Sequence, residues 1–519
     1  MLVRIPSFRL LAVTTGLAAL AAGTAGAAAG VQVAGVGLDL DAVRTYAHLH
    51  GFQPDISSRL AAEAAVAGAT PRAECGLGSN PETGRQGRVP LSEYVDGRAR
   101  EGYTCNTEQV GRLGESGGFQ VHRYVDAAGR ECAYFDSTLL FPVKDVRKGV
   151  VGTTVLDMSD PANPVKTASL VTPAMDSPHE SLRLNAERGL LVAGMGSPAT
   201  HVGFVDVYDV SADCRQPVLK ASLPVGGLGH EGGFSPDGMT YWVTTTARPG
   251  IQAIDLSNPS LPTPVWRTDA HTVHGMSFSA DGNRAYLADN GRGGLTILDV
   301  SEIQARKAGA TARVVSTLSW PEVSIPQNSN PVTIGGKPFL IEYDEYASGN
   351  RVGAARIIDI SDETAPKVVS QLRLEVHQPE ARADQSGDPG ANLPVQGYAA
   401  HYCNVPREVE PGIVACSMIV SGLRVFDIRD PYNPREIAYF NQPAVDAETP
   451  LERGAWAMSA PAFAPERDEI WYSDGNTGFF SVRLTNGVWP KDEVAEPEPE
   501  PAAAPGRSGG KSKAGRPGR

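Results

Sequence analysis

The chain has 519 residues, of which 41% are hydrophobic, and it contains 56 glycines and 40 prolines. This composition can fill a large core and suits many short strands joined by turns. The formal net charge of −13 argues against a nucleic-acid surface, because phosphate binding requires a basic footprint. No internal stretch is long and apolar enough to cross a bilayer.

The N-terminus has the pattern of a signal peptide, which we predict over residues 1–27. Arg4 and Arg9 form a basic start, residues 10–22 an apolar stretch, and residues 25–27 a cleavage site of small residues. An uncleaved anchor is the alternative, which the Ala- and Gly-rich, weakly apolar segment disfavours. We therefore expect an exported protein, periplasmic or secreted, with no transmembrane segment after cleavage.

Two segments flank the main domain. Residues 28–105 are predicted to form a small N-terminal extension, with a helical pattern over 38–70 and then a Gly/Pro-rich stretch that contains Cys75. Residues 491–519 are Glu-Pro repeats followed by a basic Gly/Ser segment. Such a composition cannot build a core, so we predict a disordered tail.

The six cysteines favour disulfides, because they are even in number in a chain predicted to be exported. None forms a C-x-x-C pair, which argues against thiol redox chemistry and a cysteine zinc site. Cys403 and Cys416 are the best candidate pair, since they are predicted on adjacent strands of one hairpin. The pairing of the others stays open at this point: Cys75, Cys105, Cys132 and Cys214.

A short strand that ends in aspartate recurs along the chain, first as Thr154–Asp157 with Met158-Ser159-Asp160-Pro161 behind it. Successive copies are 44 to 68 residues apart, and the seventh has Arg483 in place of the aspartate. This period, with β-branched residues and no helical pattern, is typical of propeller blades. We predict an all-β, seven-bladed β-propeller over residues 106–490. The repeated aspartates are Asp157, Asp209, Asp255, Asp299, Asp359 and Asp427.

The repeated aspartates have two interpretations. They could form a ligand array, or each could accept backbone N–H bonds and hold the turn that follows its strand. The second is favoured, because residues in different blades lie far apart. The seventh unit lacks an outer strand, and residues 108–113 resemble one. We predict that this segment completes the last blade and removes the open edges of the ring.

The strand motif resembles that of the LVIVD-repeat family of bacterial exported proteins, whose name describes this strand. The resemblance extends over residues 106–488, and Arg483 is its clearest departure. It implies a propeller and export, and it implies very little about activity.

Histidines recur at one position, eleven residues ahead of a shared point in the second strand of four units. One more histidine stands at the start of the sixth unit. At the corresponding position the fifth unit has Asn328 or Asn330, and the seventh unit has Ser459. The position lies at the start of the innermost strand, and these starts converge around one mouth of a propeller channel. The five histidines are His122, His179, His230, His274 and His401.

Two interpretations of the histidines stay open. Each imidazole could satisfy local backbone groups, with repetition reflecting duplication. Alternatively, three to five of them ligate copper, iron or zinc and leave a position open for substrate. Glu180 and Glu231 directly follow two of the histidines, where they could orient ligands as hydrogen-bond acceptors or lie solvated at the rim. Carotenoid oxygenases resemble this chain only in having histidines near a propeller axis.

Three functions follow. The first is binding of an unidentified ligand, metal or protein partner at the histidine-bearing mouth. The others are a metal-dependent oxidoreductase that uses the same histidines, and a cell-surface interaction scaffold in which they are structural. The longest predicted loops, residues 375–400 and 441–455, lie at the same mouth, and long loops on a rigid scaffold often carry binding.

Overall fold

The structure is a computed structural model that describes residues 68–136, 152–194, 203–227, 229–245, 250–321, 323–345, 347–348, 351–385, 387–389, 391, 397–446, 453–491 and 518. The predicted signal peptide lies outside these residues, as do nearly all of the predicted helical segment and of the tail. A compact unit ends at Trp489, and a second unit begins at Pro490. Over the described ranges no helix is long and apolar enough to span a membrane.

Six four-stranded antiparallel sheets and one five-stranded sheet, blade 6, build the predicted seven-bladed propeller. Two strands precede the first blade: β1 (Tyr103–Cys105) and β2 (Thr107–Leu113). Blades 1 to 3 are β3–β6 (Val121–Val125, Glu131–Asp136, Thr153–Asp157, Val165–Leu170), β7–β10 (Arg183–Asn185, Leu190–Gly194, Val205–Asp209, Val218–Leu223) and β11–β14 (Gly232–Phe234, Thr240–Thr244, Ile251–Asp255, Thr263–Thr268).

Blades 4 and 5 are β15–β18 (Val273–Phe278, Arg284–Asp289, Gly294–Asp299, Arg313–Leu318) and the strands β19, β20, β23 and β24 (Ile325–Ile334, Lys337–Glu345, Ala355–Asp359, Lys367–Leu372). A small hairpin, β21 and β22 (Ala347–Ser348, Arg351–Val352), interrupts blade 5. Blades 6 and 7 are β25–β28 (Cys403–Asn404, Ile413–Ser417, Leu423–Asp427, Arg435–Asn441) and β29–β31 (Ala462–Ala464, Glu469–Asp474, Gly478–Leu484).

Local chemistry explains the regular hairpins. Gly238 and Gly282 have positive φ values of 64° and 71°, which the turns between first and second strands require. The second strands are buried on both faces, because neighbouring blades cover them. Between blades 2 and 3, for example, Val192 and Val207 belong to one cluster with Tyr241 and Ile254. The core therefore consists of layers between blades, and the polar channel lies inside them.

The repeated aspartates hold turns, as the favoured interpretation expected. Asp157 Oδ1 accepts the N–H of Ser159 at 2.9 Å, and Asp209 Oδ1 accepts that of Ser211 at 2.9 Å. Asp359 and Ser361 repeat the bond at 2.8 Å. Each of these aspartates thus stabilises the turn that follows the third strand of its blade.

The ring closes as predicted, because β2 pairs with β31 and becomes the outer strand of blade 7. The preceding strand β1 pairs with β28 and adds the fifth strand to blade 6. One stretch of chain before blade 1 therefore joins the last two blades and leaves blade 7 without an open edge.

Three disulfides are present in the structure. Cys403 and Cys416 form the predicted pair on β25 and β26. The other two bonds, which the sequence left open, join Cys75 to Cys105 and Cys132 to Cys214.

The described part of the extension packs on the long connection between blades 5 and 6. It contains a helix at Leu91–Asp96 and a 3₁₀ turn at Arg98–Glu101. The hydroxyl of Tyr398 accepts the N–H of Val89 at 3.0 Å, and Arg88 pairs with Asp388 at 2.8 Å. The connection has short helices of its own, so its described part is ordered: Glu375–His377, Pro379–Ala381 and Arg382–Gln385.

Candidate metal centre at one mouth of the channel

Four of the five predicted histidines lie together where the inner strands begin. The second strand fixes the backbone at two of these starts: the His230 N–H donates to the Thr244 carbonyl at 2.8 Å, and the His401 N–H donates to the Ser417 carbonyl at 2.9 Å. Glu180 and Glu231 form a parallel backbone bridge that aligns blades 2 and 3. His179 has a φ of 53°, a left-handed conformation that is costly for a residue with a Cβ and that clusters at functional sites.

The imidazoles are close enough to share one ion. His230 Nε2 lies 3.1 Å from His274 Nε2 and 3.1 Å from Glu180 Oε2. Glu180 Oε1 lies 3.4 Å from His401 Nε2, and the ring centroids of His179 and His230 are 4.6 Å apart. Ligands bound to one ion at about 2.0–2.1 Å lie roughly 3.0–3.4 Å from each other, so these separations fit a shared ion.

Glu345 completes the cluster, although the sequence did not single it out. Its Oε1 lies 3.2 Å from His274 Nε2, and its Oε2 lies 3.3 Å from His401 Nε2. It follows Asp344 at the end of β20. The second strands of blades 1, 4 and 7 end in an aspartate that corresponds to Asp344. The additional carboxylate of Glu345, directly after that aspartate, was therefore a usable sequence signal for a site residue.

Neighbouring side chains orient the ligands. His401 Nδ1 donates to the carbonyl of Met458 at 2.7 Å, which directs Nε2 into the cluster. Glu231 Oε1 accepts hydrogen bonds from Arg183 Nη2 and Asn328 Nδ2. Its other oxygen, Oε2, lies 3.5 Å from His274 Nδ1. Glu180 and Glu231, which the sequence interpreted as orienting groups or solvated rim carboxylates, are buried among the imidazoles.

Several buried atoms here make no hydrogen bond to any described residue: Glu180 Oε2, Glu231 Oε2 and His274 Nδ1. All three side chains are at most 3% exposed. Glu180 Oε2 and His230 Nε2 are 3.1 Å apart but lack the alignment of a hydrogen bond. An unsatisfied buried carboxylate oxygen costs on the order of 1–3 kcal/mol, and a bound cation would remove that cost.

The pKa values reflect this crowding. Burial opposes the charged form of His274, but Glu180, Glu231 and Glu345 outweigh it and raise the pKa of His274 well above its usual value. Burial would raise the pKa of Glu180, yet the surrounding imidazoles hold it well below the ordinary range. Burial lowers the pKa of His179 to about 3, with Glu180 opposing. Neutral imidazoles and ionised carboxylates are the forms that bind metals, so an ion bound through His274 would have to displace the proton that the carboxylates favour there.

His122 does not join the cluster. Its Nε2 donates to the carbonyl of Leu182 at 2.9 Å, and its ring borders the channel cavity. The eleven-residue spacing does not mark the equivalent position in blade 1, because the first hairpin of that blade is longer. Seven residues separate the paired Tyr124 and Cys132 there, whereas four separate Ser279 from Arg284 in blade 4. The three extra residues place Phe119 at the histidine position, with its ring 4.5 Å from that of His179.

Gly275 makes room for the cluster. It follows His274, at the position that Glu180 and Glu231 occupy after their histidines. A Cβ at this position would overlap the Glu231 carboxylate and would lie 2.6 Å from the carbonyl oxygen of Gln327. Only glycine allows blades 3, 4 and 5 to approach so closely at this mouth.

The comparisons with known proteins support the repeat. Residues 274–303 match the family model described as LVIVD repeat, which supports the resemblance seen in the strand motif. A search of curated proteins gives no match.

Solved structures that resemble the chain are diverse propellers. The Cps50 (Swd1) β-propeller domain of Myceliophteria thermophila is 9% identical, with a TM-score of 0.44, over 72% of this chain and 99% of that one. Kuenenia stuttgartiensis hydrazine synthase is 14% identical, with a TM-score of 0.44, over 72% and 97%. A putative 6-phosphogluconolactonase from Bacteroides fragilis is 10% identical, with a TM-score of 0.41, over 73% and 95%.

Proposed function

We propose that this LVIVD-repeat propeller is an exported protein that binds one divalent transition-metal ion at the mouth of its channel. The observation that carries the proposal is the group of buried imidazole and carboxylate atoms 3.1–3.4 Å apart around Glu180, with oxygens that no described residue satisfies. The three disulfides are compatible with export.

The donor set indicates which ions fit. Mixed imidazole and carboxylate ligands suit iron, copper or zinc, whereas calcium and magnesium prefer oxygen alone. The candidate ligands are His179, Glu180, His230, Glu231, His274, Glu345 and His401. Their number exceeds the four that a closed zinc site takes, which favours an ion with a higher coordination number.

A metal-dependent oxidoreductase is the second candidate function. A cavity adjoins the cluster, so an ion there could meet a small molecule from the channel side. The scaffold alternative, with histidines that only satisfy backbone groups, gains support from His122 and His401, which bond to carbonyls. It does not account for His230 and His274, whose ring nitrogens face each other and the carboxylates.

The experiment is metal analysis of the full chain purified from a periplasmic host. After anaerobic reconstitution with Fe(II), Cu(II) or Zn(II) and removal of excess ion, we expect about one ion per chain for one of the three. Glu180→Gln keeps the shape of the side chain but removes the central charge, and it should weaken that ion at least 100-fold. Asp209→Asn, in the same blade, is the matched control and should bind like wild type.

Two results would contradict the proposal. One is the lack of a stoichiometric ion after reconstitution of folded protein, and the other is a Glu180→Gln variant that binds the ion as tightly as wild type. Circular dichroism and thermal unfolding of the metal-free proteins establish that both variants are folded.

A further inference from the structure

A cavity of about 310 Å³ lies along the channel beside the candidate metal centre. Inner segments of all seven blades line it, from Gln120 in blade 1 to Ala460 in blade 7. Its volume is within the range of small-molecule sites, which begins at about 300 Å³. The cavity is therefore large enough for a small organic ligand.

The cavity and the metal centre share a boundary. Arg183 and Asn328 line the cavity and donate hydrogen bonds to Glu231. Tyr402 also lines it, and its ring centroid lies 5.0 Å from that of His401. A ligand in the cavity would thus lie next to the residues that hold the ion.

Two hydrogen-bonding groups of the lining are buried without a partner in the described part of the chain. They are Gln120 Nε2 and the hydroxyl of Tyr402, on side chains only 2% and 1% exposed. Burial raises the pKa of Tyr402 well above its usual value, with the charges of Glu180 and Glu231 acting in the same direction, so the phenol keeps its proton. Both groups can therefore donate to a ligand oxygen.

The remaining lining sets the shape and charge of the ligand. Phe234, Met276 and Phe278 provide an apolar wall. The three glutamates of the metal centre carry −3, Arg183 carries +1 and a divalent ion would carry +2, which sums to zero next to the cavity. At the rim, Glu408 is exposed to solvent. A charged ligand would leave water without gaining a counter-charge.

We propose that this cavity binds a small uncharged organic molecule with a carbonyl oxygen, which accepts hydrogen bonds from Gln120 Nε2 and the Tyr402 hydroxyl. The apolar part of the molecule packs on Phe234, Met276 and Phe278. The choice of an uncharged ligand rests on the proposed metal site, whereas the hydrogen bonds do not depend on it.

The test compares three probes of one shape: benzamide, benzoate and benzylamine. Calorimetric titration of the metal-reconstituted chain should show benzamide binding at millimolar concentration, with the two charged probes at least tenfold weaker. Tyr402→Phe and Gln120→Met should each weaken benzamide about tenfold, because each removes one hydrogen bond. Tyr432→Phe alters an exposed tyrosine away from the cavity and should bind like wild type.

Metal-free protein separates this proposal from the previous one. Without the ion, and with His274 protonated, the formal local charge becomes −1, so benzylamine should gain affinity relative to benzamide, while benzamide should still depend on Tyr402. If the chain binds no metal but benzamide binding depends on Tyr402 and Gln120, the metal site fails and the cavity stands. Equal benzamide affinity in Tyr402→Phe, Gln120→Met and Tyr432→Phe would overturn the cavity proposal. Tighter binding of a charged probe to the metal-reconstituted chain, or saturation by none of the probes, would also overturn it.

Discussion

The repeated aspartates and the mouth cluster are both products of the blade repeat, but their side chains are satisfied in opposite ways. Asp299 is 21% exposed, accepts the N–H of Ser301 at 3.0 Å and pairs with Arg313 at 3.2 Å. Glu180 and Glu231 are at most 2% exposed, and each has an oxygen that bonds to no described residue. Asp299 is satisfied within its own blade, whereas Glu180 and Glu231 meet imidazoles from other blades and each keep one oxygen without a hydrogen bond to a described residue.

The difference shows how a repeat can carry both scaffold and function. A residue that bonds within its own blade performs the same task in each copy, so it remains repetitive. Residues at the channel mouth meet across blades, and a group there acts with neighbours from other copies. Repetition alone therefore does not distinguish the two roles.

Gly275→Ala is expected to give the largest effect, because it distorts the channel mouth without replacing any candidate ligand. Its Cβ would displace the Glu231 carboxylate, which Arg183 and Asn328 hold in place. We expect metal affinity to fall about 100-fold and stability to fall by about 1–3 kcal/mol. Chelator competition measures the first quantity and denaturant unfolding measures the second.

Gly335→Ala is a suitable control, since Gly335 has a positive φ of 58° but nothing within 4 Å of its Cβ position. It should cost stability alone. A Gly275→Ala variant with wild-type metal affinity would show that Glu231 is not part of the metal site.

Asp136 sharpens the comparison, because it is fully buried like Glu180 but bonded within its blade like Asp299. Its Oδ1 accepts the N–H groups of Phe119 at 2.9 Å and Gln120 at 2.8 Å. Burial raises its pKa from 3.8 to about 7, against those hydrogen bonds. A folded-state pKa above the unfolded value means that its contribution to stability is fully present below pH 3.8 and is lost as the pH rises through about 7.

Asp136→Asn stays neutral and keeps one acceptor oxygen, so it should gain stability relative to wild type as the pH rises from 4 to 7. We expect a gain of a few kcal/mol over that range, since each unit of pKa shift corresponds to about 1.4 kcal/mol. Denaturant unfolding of metal-free protein at several pH values measures the difference. A difference that is independent of pH would show that Asp136 titrates normally.

The sequence predicted the propeller, its closure and one disulfide, because these depend on local patterns and on the blade period. It also identified four of the seven candidate ligands, the histidines His179, His230, His274 and His401. His122, which the sequence placed among the ligands, lies outside the cluster. The first hairpin of blade 1 is three residues longer, which shifts the register and puts Phe119 at the mouth. The sequence missed Glu345 as a candidate ligand and Gly275 as a spacer, because both act through contacts between blades. Such contacts have no period in the sequence.

Asp299→Ala is expected to have the smallest effect, and it tests the other side of the comparison. The change removes the acceptor of the Ser301 N–H and hydroxyl and the partner of Arg313, on a side chain that solvent partly screens. We expect a loss of about 1–2 kcal/mol in unfolding free energy, and Asp299→Asn should recover part of it by keeping the acceptor oxygen. Metal affinity should remain within about threefold of wild type, because the bonds of Asp299 lie within blade 4. A folded Asp299→Ala protein with strongly weakened metal binding would show that the turn aspartates and the mouth are energetically coupled.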